Sequence, residues 1–443
     1  MELESQLEWS QNESPQSDVM KSDHRVLLTQ FAEVNPAAAF AHLPPDAQVS
    51  FIPMSDASET GEWIGHQTRK LSQVRQGYTP FQEGDLLFAK ITPCMENGKG
   101  CHARNLTNGV GFGSTEFHVL RARPRIDPRF IYHWLQSEAL RRKAETLMTG
   151  SAGQRRVPAE FFDRFEVPVI SFAEQRRIAE ILDTVDAAIQ QTEALIAKLK
   201  QVKAGLLHDL LTRGLDKHGQ LRDSVAHPEQ FKESPCGLIP CEWTSPSIDT
   251  LAFHVGSGVT PTGGSEVYKK EGIVFVRSQN VTFEGLLLDD VAYINSATHE
   301  RMRRSEIFPH DVLLNITGAS IGRCCPVPAG FPVANVNQHV CAIRLPNATW
   351  ANATYLSAVL ASYIGQSQID RLNAGGNRQG LNYLQLRSFV IPWPGEEERE
   401  RIACFLKAHD ERIQTEETYW EKLQPLKKGL MDDLLTGKVR VAS

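Results

Sequence analysis

The chain has 443 residues, of which 41% are hydrophobic and 23% are charged, and its formal net charge at pH 7 is −6. This length predicts about three domains, and without a run of about 18 apolar residues the chain is not expected to cross a membrane. The eight cysteines form neither a CxxC pair nor a zinc-finger set with histidine, which excludes those metal motifs and favours reduced thiols in the cytoplasm.

The N-terminal segment, residues 1–24, is acidic and polar. It has no basic stretch followed by an apolar one, so it is not a secretory signal and is predicted to be a mobile tail. Charge is unevenly distributed, because residues 1–60 contain 2 basic and 10 acidic residues whereas residues 61–170 contain 16 and 11. Since a nucleic-acid contact is local, the negative net charge does not exclude one.

Residues 25–170 are predicted to form a first α+β domain. Short apolar strands are expected at LLFAKIT (86–92) and FHVLRA (117–122), and a helical stretch is expected over residues 130–147. Strands and helices therefore mix within one compact region.

Residues 171–214 are predicted to form one long helix. Apolar or small residues recur there at alternating steps of three and four from Ile178 to Leu206, which is the pattern of a coiled-coil seam. A helix of about forty residues is about 60 Å long, so it needs a partner along its length. The polar segment 215–242, rich in Pro and Gly, is predicted to be a linker.

Residues 243–394 are predicted to form a second α+β domain. Short strands are expected at IVFVRS (273–278), VLLNIT (312–317) and CAIRL (341–345). The domain is expected to end at the Pro-rich segment that precedes the last part of the chain.

Residues 395–443 are predicted to form a second long helix, which Pro425 is expected to kink or break. This helix repeats the first. KAGLLHDLLTRG (203–214) recurs as KKGLMDDLLTGK (427–438), an offset of 224 residues (427 minus 203), and no gap is needed over roughly forty positions. The chain is therefore predicted to consist of two repeats of one half-length unit.

The duplication sets the expected fold class, which is α+β. Two similar α/β domains are expected to be separated by two long helices that pair as an antiparallel coiled coil about an internal pseudo-two-fold axis. The other interpretation, in which these are merely two core helices of separate domains, stays open at this point.

The loops of both domains are rich in Asn, Gln, Thr, Gly, Arg and Lys. Arg and the two amides make paired hydrogen bonds to base edges, and basic side chains hold phosphates. Any one such loop is more often a solvated turn, but here similar loops recur in both halves. The candidate DNA-binding residues are Arg69, Lys70, Lys90, Thr92, Asn97, Lys99, Gln154, Arg155, Arg156, Thr260, Arg277, Gln279, Asn280, Thr317, Arg323, Asn337, Gln338, Asn377, Arg378 and Gln379.

The sequence offers no catalytic residue and no metal site. The P-loop, HEXXH and GxGxxG motifs are absent, and Asn35-Pro36-Ala37-Ala38 lacks the second Pro and the aromatic residue of an adenine-methyltransferase motif. Two alternatives to a non-catalytic DNA-binding protein remain: a self-sufficient DNA methyltransferase-nuclease, and a coiled-coil scaffold whose α+β domains bind a non-DNA ligand. Salt-dependent binding to duplex DNA would separate them.

In this order and twice over, the motifs resemble those of the DNA specificity subunits of type I restriction-modification systems. The resemblance covers residues 25–438. The motifs that carry it are EQRRIA (174–179), LLTRG (210–214), FQEGDLLFAKITPCMENGKG (81–100), GLIPCEWTSPSIDTLA (237–252), GSGVTPTGG (256–264) and GGNRQGLNYLQLRSFVIPWP (375–394).

The resemblance implies two target recognition domains, each reading one half of a bipartite site on double-stranded DNA. It implies helices that set the gap and dock two modification (methyltransferase) subunits, together with restriction/translocase subunits. S-adenosylmethionine, ATP and Mg are then expected in those partners and not in this chain. The helix residues assigned to docking are Ile178, Leu182, Ile189, Leu199, Leu206, Leu210, Ile402, Leu406, Ile413, Leu423, Leu430 and Leu434.

Overall fold

The computed structural model describes residues 24–151, 153–373 and 380–441, so all but the last residue of the predicted tail lies outside it. The chain divides into two compact units. The first unit combines the stretch up to residue 191 with the stretch from residue 419 onwards, and the second unit is what lies between. Among the described helices, none is both long and apolar enough to span a membrane.

The first unit is built on two four-stranded sheets. In one, the order is β4-β3-β8-β5 with β3 and β8 parallel, and in the other it is β2-β9-β6-β7, while β1 pairs with β10. All residues of β6 and β8 are buried, as expected for strands covered on both faces. The strands are β1 (Arg25–Leu27), β2 (Ala32–Val34), β3 (Gln48–Ile52), β4 (Gln67–Lys70), β5 (Thr79–Gln82), β6 (Leu86–Ala89), β7 (Gly100–His102), β8 (Val110–Gly113), β9 (Phe117–Ala122) and β10 (Glu166–Pro168).

The helical stretch predicted over residues 130–147 is two helices and not one. Ser137 leaves the helical backbone conformation, and its hydroxyl accepts a hydrogen bond from the Leu140 N–H, so it ends one helix and caps the next. The short helices of this unit are α1 (Leu71–Val74), α2 (Pro128–Gln136) and α3 (Glu138–Thr146).

The first long helix, α4, runs over Phe172–Thr212. Its residues up to 191 belong to the first unit and the remainder belongs to the second.

The second unit repeats the sheet orders of the first. One sheet has the order β15-β14-β19-β16 with β14 and β19 parallel, and the other has the order β13-β20-β17-β18. The hairpin β11-β12 lies in the segment that the sequence predicted as a linker, and Ile239 of that hairpin is fully buried in the core of the unit. The strands are β11 (Phe231–Ser234), β12 (Gly237–Pro240), β13 (His254–Ser257), β14 (Ile273–Val276), β15 (Ala292–Ile294), β16 (Glu306–Ile307), β17 (Val312–Asn315), β18 (Cys324–Pro326), β19 (Ala334–Val336) and β20 (Val340–Arg344).

The helices of the second unit lie mainly after its last strand. Tyr355 and Leu356 of α7 are fully buried in the same core as the strands. The helices are α5 (Ile248–Leu251), α6 (Ser296–Arg301), α7 (Trp350–Ala361), α8 (Tyr363–Asn373) and α9 (Tyr383–Arg387).

The second long helix, α10, runs over Glu396–Leu430 and continues as one π-helical turn over Met431–Leu435. Pro425 lies inside α10, so the helix does not break at this residue, and the predicted kink stays a prediction. Proline removes one backbone hydrogen bond from a helix, and side chains on either side of Pro425 are buried in the first unit, which stabilises the helical path. Leu423 is 6% exposed and Leu434 is 4% exposed.

The buried faces of the two long helices match at the sequence offset of 224. In the first unit, Ile178 and Leu182 share a core with Leu434, and in the second unit Ile402 and Leu406 share a core with Leu210. The buried residues of α4 include Ile178, Leu182, Ile189, Leu199 and Leu210, and their buried counterparts are Ile402, Leu406, Ile413, Leu423 and Leu434.

A buried ion pair joins the same two strands in each unit. Asp85, next to β6, accepts two hydrogen bonds of 2.7 Å from Arg121 of β9. Asp311, next to β17, accepts two of 2.7 Å from Arg344 of β20. Both aspartate side chains are fully buried, so each pair ties a turn to its sheet.

Candidate nucleic-acid interface

The residue after β6 and the turn between β8 and β9 meet at one rim of the first unit. The Lys90 N–H donates to the Glu116 carbonyl at 2.9 Å, and the Val157 N–H donates to the Lys90 carbonyl at 2.8 Å. Three separate segments are thereby joined by backbone hydrogen bonds. We call Lys90, Thr92, Glu96, Glu116, Arg155 and Arg156 the first rim cluster.

Ion pairs dominate the first rim cluster. Arg156 binds both carboxylate oxygens of Glu116, with Nε at 2.9 Å and Nη2 at 2.8 Å. The hydrogen bond from Arg156 lowers the pKa of Glu116, and that bond raises the pKa of Arg156. Thr92 Oγ1 donates to Glu96 at 2.7 Å, and Arg155 lies 3.4 Å from the same carboxylate oxygen. The cluster presents cations whose carboxylate partners hold them in place.

The loop that carries Thr92 is fixed from behind by a buried arginine. Arg141 of α3 donates to the Met95 carbonyl at 2.5 Å and to the Gly98 carbonyl at 3.0 Å. Burial lowers the pKa of this guanidinium to about 10, which leaves it charged at neutral pH. The loop therefore keeps a defined shape, as a surface that recognises a rigid ligand requires.

The same rim exists in the second unit with different side chains. The Ile316 N–H donates to the His339 carbonyl at 2.9 Å, and the Leu381 N–H donates to the Ile316 carbonyl at 2.8 Å. These bonds reproduce those of the first rim. We call Thr260, Thr317, Gln338 and His339 the second rim cluster.

Neutral hydrogen bonds dominate the second rim cluster. Thr260 donates to the Gln338 side-chain oxygen, and Gln338 Nε2 lies 3.3 Å from His339 Nε2. The other ring nitrogen of His339 lies 2.5 Å from Thr317 Oγ1. The supporting clamp is Gln366 of α8, which donates to the Gly322 carbonyl at 3.1 Å. The scaffold is repeated and its exposed chemistry is not.

Five more predicted residues of the first unit lie outside its rim cluster. Asn97 is exposed and donates to Glu59 at 3.2 Å, and Lys99 donates to the Met54 carbonyl at 3.3 Å. Gln154 is exposed on the turn that leads to Arg156. Arg69 and Lys70 lie on the edge strand β4, where the Arg69 guanidinium is 3.8 Å from the centre of the Phe51 ring.

Two predicted contacts of the second unit, Asn280 and Asn337, have buried side chains that hydrogen-bond within their own loops. Asn280 is 2% exposed, and its amide donates to the Leu287 carbonyl at 2.9 Å. Asn337 is 7% exposed, and its side-chain oxygen accepts from the His339 N–H at 3.1 Å. Amide side chains that shape tight loops carry the same sequence signal as amides that contact a ligand, so the sequence does not distinguish the two roles.

The remaining predicted residues of the second unit differ in their surroundings. Arg277 and Gln279 both donate to Asp290, at 2.9 Å to its carbonyl and 2.7 Å to its carboxylate. Arg323 is exposed, with no side-chain hydrogen bond to another described residue. Three predicted residues, Asn377, Arg378 and Gln379, lie outside the residues that the structure describes.

The helix residues assigned to docking are covered by the chain itself. Ten of the twelve are the buried pairs named above, and Leu206 and Leu430 are half-buried against the same cores. Their packing is therefore intramolecular.

Sequence reasoning missed the buried polar groups that join distant segments. The carboxylate of Glu398 accepts hydrogen bonds from the Leu215 N–H at 2.8 Å, from Trp243 Nε1 at 3.1 Å and from Arg222 at 2.6 Å. The matching residue of the first long helix, Glu174, accepts two hydrogen bonds of 2.6 Å from Arg440. Hydrophobic periodicity does not predict such ion pairs. A Glu at the equivalent position of both repeats is nevertheless a sequence signal for them. In the described residues, no group of three or more His, Cys, Asp or Glu is placed to hold a metal.

Two sheet-based domains of one design, each with a rim of hydrogen-bonding side chains and each followed by a long helix, define a duplicated recognition protein. The family described as the type I restriction modification DNA specificity domain matches residues 26–201 and 253–424, and the chain belongs to this family.

Two curated relatives are similar to part of this chain, and one solved structure shares its fold. The EcoEI type I restriction enzyme specificity subunit of Escherichia coli is 35% identical over 193 residues, which is 39% of this chain and 32% of the relative. The EcoAI subunit of the same organism is 36% identical over 191 residues, with 41% and 32% covered. Each match therefore spans about a third of the relative. The type I S subunit from M. genitalium shares the fold, with a TM-score of 0.57, 14% identity and 96% and 99% of the two chains covered.

Proposed function

We propose that this chain is the DNA specificity subunit of a type I restriction-modification complex, without catalytic activity of its own. Each unit reads one half of a bipartite target on double-stranded DNA. The observation that carries the proposal is the rim built twice on one scaffold, with ion pairs in the first cluster and neutral hydrogen bonds in the second. Two readers of unequal chemistry suit two unequal half-sites.

The long helices are proposed to pair as an antiparallel coiled coil. In the second unit, Lys200 lies 2.7 Å from Glu417 and Lys203 pairs with Asp410. Along the pair, residue numbers increase on one helix while they decrease on the other, as expected for antiparallel helices. In the first unit, Lys427 lies 2.6 Å from Asp186, which follows the same rule.

Docking of two modification subunits is proposed for side chains that the helices leave exposed. Val202 of α4 is 40% exposed and Leu426 of α10 is 50% exposed, and these two residues are 224 positions apart. Equivalent exposed apolar residues on two repeated helices fit two copies of one partner. S-adenosylmethionine, ATP and Mg are assigned to the modification and restriction/translocase partners, and the complex to the cytoplasm.

The test is DNA binding by the co-purified complex of this chain with its modification subunits. We expect salt-dependent binding to a duplex that carries the target, and loss of specific binding when either half-site is scrambled. Methylation-aware sequencing of the host genome identifies the target. A complex that binds all duplexes alike, or that methylates no bipartite sequence, would falsify the proposal.

Docking has its own test. Changing Val202 and Leu426 together to Asp should release the modification subunits, whereas either change alone should release one copy, as measured by the mass of the complex in solution. The matched control is the exposed pair Lys198 and Lys422, also 224 positions apart, changed to Asp. Retention of both partner copies by the double Asp variant at positions 202 and 426 contradicts this docking surface.

A further inference from the structure

Three of the N–H groups of the Arg156 guanidinium already donate hydrogen bonds within the protein. An arginine side chain carries five N–H groups. Nε and one Nη2 hydrogen serve Glu116, and one Nη1 hydrogen serves the Gln154 carbonyl at 3.1 Å. Two N–H groups, one on each terminal nitrogen, have no hydrogen-bond acceptor among the described residues. This is the combination that a bidentate contact needs.

The backbone and the partner of Arg156 are both held in place. The Arg156 N–H donates to the Thr149 carbonyl at 2.8 Å, and its carbonyl accepts from the Thr149 N–H at 3.0 Å. The Glu116 N–H donates to Ser114 Oγ at 3.2 Å. The side chain of Arg156 is nevertheless 43% exposed. A charged fork that is exposed and already oriented loses little conformational entropy when it binds.

The chemistry of the pair selects one kind of base pair. Guanine offers two acceptors, O6 and N7, to the major groove, which match an arginine fork, and its partner cytosine offers an amino donor that a carboxylate accepts. A phosphate would also accept two hydrogen bonds from Arg156, but the Glu116 carboxylate beside it repels a second anion.

We propose that Arg156, oriented by Glu116, reads the guanine of a G·C pair in the half-site bound by the first unit. This assignment rests on the proposed function and adds a base to it. The backbone bridge between Ile91 and Arg156 is matched in the second unit by a bridge between Thr317 and Gly380. Glycine supplies no side chain, so the residue of the second unit at the position equivalent to Arg156 does not make this contact.

The experiment uses the complete complex and four variants of this chain. Binding and methylation are measured on duplexes in which each G·C pair of the target is replaced in turn by A·T. Arg156→Gln should reduce discrimination at one position of one half-site by about tenfold to a hundredfold. Arg156→Lys should keep the charge and the overall affinity but lose the same discrimination, because an ammonium group has no planar fork. Glu116→Gln should weaken discrimination at that position by less.

Arg303→Gln is the matched control. Arg303 makes the same two-point contact with Glu300, with Nε at 2.7 Å and Nη2 at 2.9 Å, but it lies just after α6 in the second unit. Its substitution should leave the first half-site unchanged.

Three results overturn the assignment. The first is a half-site without a G·C pair at the affected position, and the second is unchanged discrimination in both Arg156 variants. The third is a loss of affinity in Arg156→Gln that is equal for all DNA sequences and that Arg156→Lys restores. The last result identifies a phosphate contact. If the unmodified complex recognises no bipartite target at all, the proposed function itself fails, which is a different outcome.

Discussion

The two units share their buried polar pairs and differ at their exposed rims. Asp85 with Arg121 and Asp311 with Arg344 have the same geometry in the two halves, whereas the first rim has an ion pair between Glu116 and Arg156 and the second rim has a hydrogen bond between Thr317 and His339. Within a duplicated chain, what is repeated marks the scaffold. What differs marks the part that is free to take a new specificity.

The starts of the two long helices offer a second comparison. Each start has a glutamate–arginine ion pair, which we call a helix lock, and the arginine is buried in one half and exposed in the other. Glu398 is bound by Arg222, whose side chain is 9% exposed, whereas Glu174 is bound by Arg440, whose side chain is 61% exposed. Water screens the second pair far more than the first. Each helix lock joins the start of one long helix to the segment that follows the other long helix.

The largest expected effect tests the helix locks. Glu398→Ala should lower the free energy of unfolding by about 3–5 kcal/mol, because it leaves the Arg222 charge and the Trp243 N–H buried without a partner. Glu174→Ala should lower it by about 1 kcal/mol or less, since Arg440 can be solvated. Urea denaturation of the purified chain measures both. Equal losses would show that the two locks do not differ in burial as described.

The buried aspartates test the shared scaffold. Asp85→Ala and Asp311→Ala should each destabilise the chain by about 3 kcal/mol, since each leaves a partly buried guanidinium unpaired. The control is Asp249→Ala, whose partner Arg387 lies at 2.8 Å on the surface and whose loss should cost less than about 1 kcal/mol. A difference of more than about 1 kcal/mol between the first two would break the equivalence of the units.

The loop glycines sharpen the comparison of the two clamps. Gly98 and Gly322 have φ values of +89° and +88°, which disfavour any other residue. A Cβ on Gly98 would lie 2.7 Å from the Glu59 carbonyl oxygen, whereas one on Gly322 would lie 2.6 Å from the movable end of Gln366. We expect losses of about 2 kcal/mol for Gly98→Ala and about 1 kcal/mol for Gly322→Ala in thermal unfolding.

A matched control for these glycines lies in α4. Gly205 has open space around its Cβ position and sits inside the helix, so Gly205→Ala should stabilise the chain by up to about 1 kcal/mol. A larger loss for Gly322→Ala than for Gly98→Ala would mean that the side chain of Gln366 is the more rigid neighbour.

The smallest effect concerns cysteine labelling, which leaves the fold intact. Burial raises the pKa of Cys101, Cys324 and Cys341 to about 12, so these thiols stay protonated and unreactive at pH 8. Cys241 and Cys404 are exposed, and both belong to the second unit. We expect alkylation at these two at least about tenfold faster than at the buried thiols, as followed by mass spectrometry. Fast labelling of Cys101 would contradict the packing of the first unit.

The sequence predicted the parts of the fold that depend on periodic burial. Steps of three and four placed Ile178 and Leu206 on one helix, and the residues of FHVLRA form strand β9 as predicted. The α+β class with two similar domains is confirmed, because the paired sheets recur in both units.

Features that depend on distant partners were not predictable in the same way. The hairpin at Phe231–Pro240 was predicted as linker because the segment 215–242 that contains it is polar and rich in Pro and Gly, and only the structure shows Ile239 buried. Asn280 was assigned to DNA because an amide in a loop serves either a ligand or the loop itself, and composition does not distinguish the two. The Arg155 and Arg156 assignments stay predictions, now with carboxylate partners that the sequence did not reveal.

The core of the first unit includes Met431, Leu434 and Leu435 together with residues such as Leu28 and Phe130. During synthesis the N-terminal domain therefore cannot close its core until this late segment has been made. The core of the second unit, which runs from Leu210 to Leu406, is available earlier. The domain that is translated first is the one whose folding is completed last, so the nascent first domain carries an open apolar surface for most of translation.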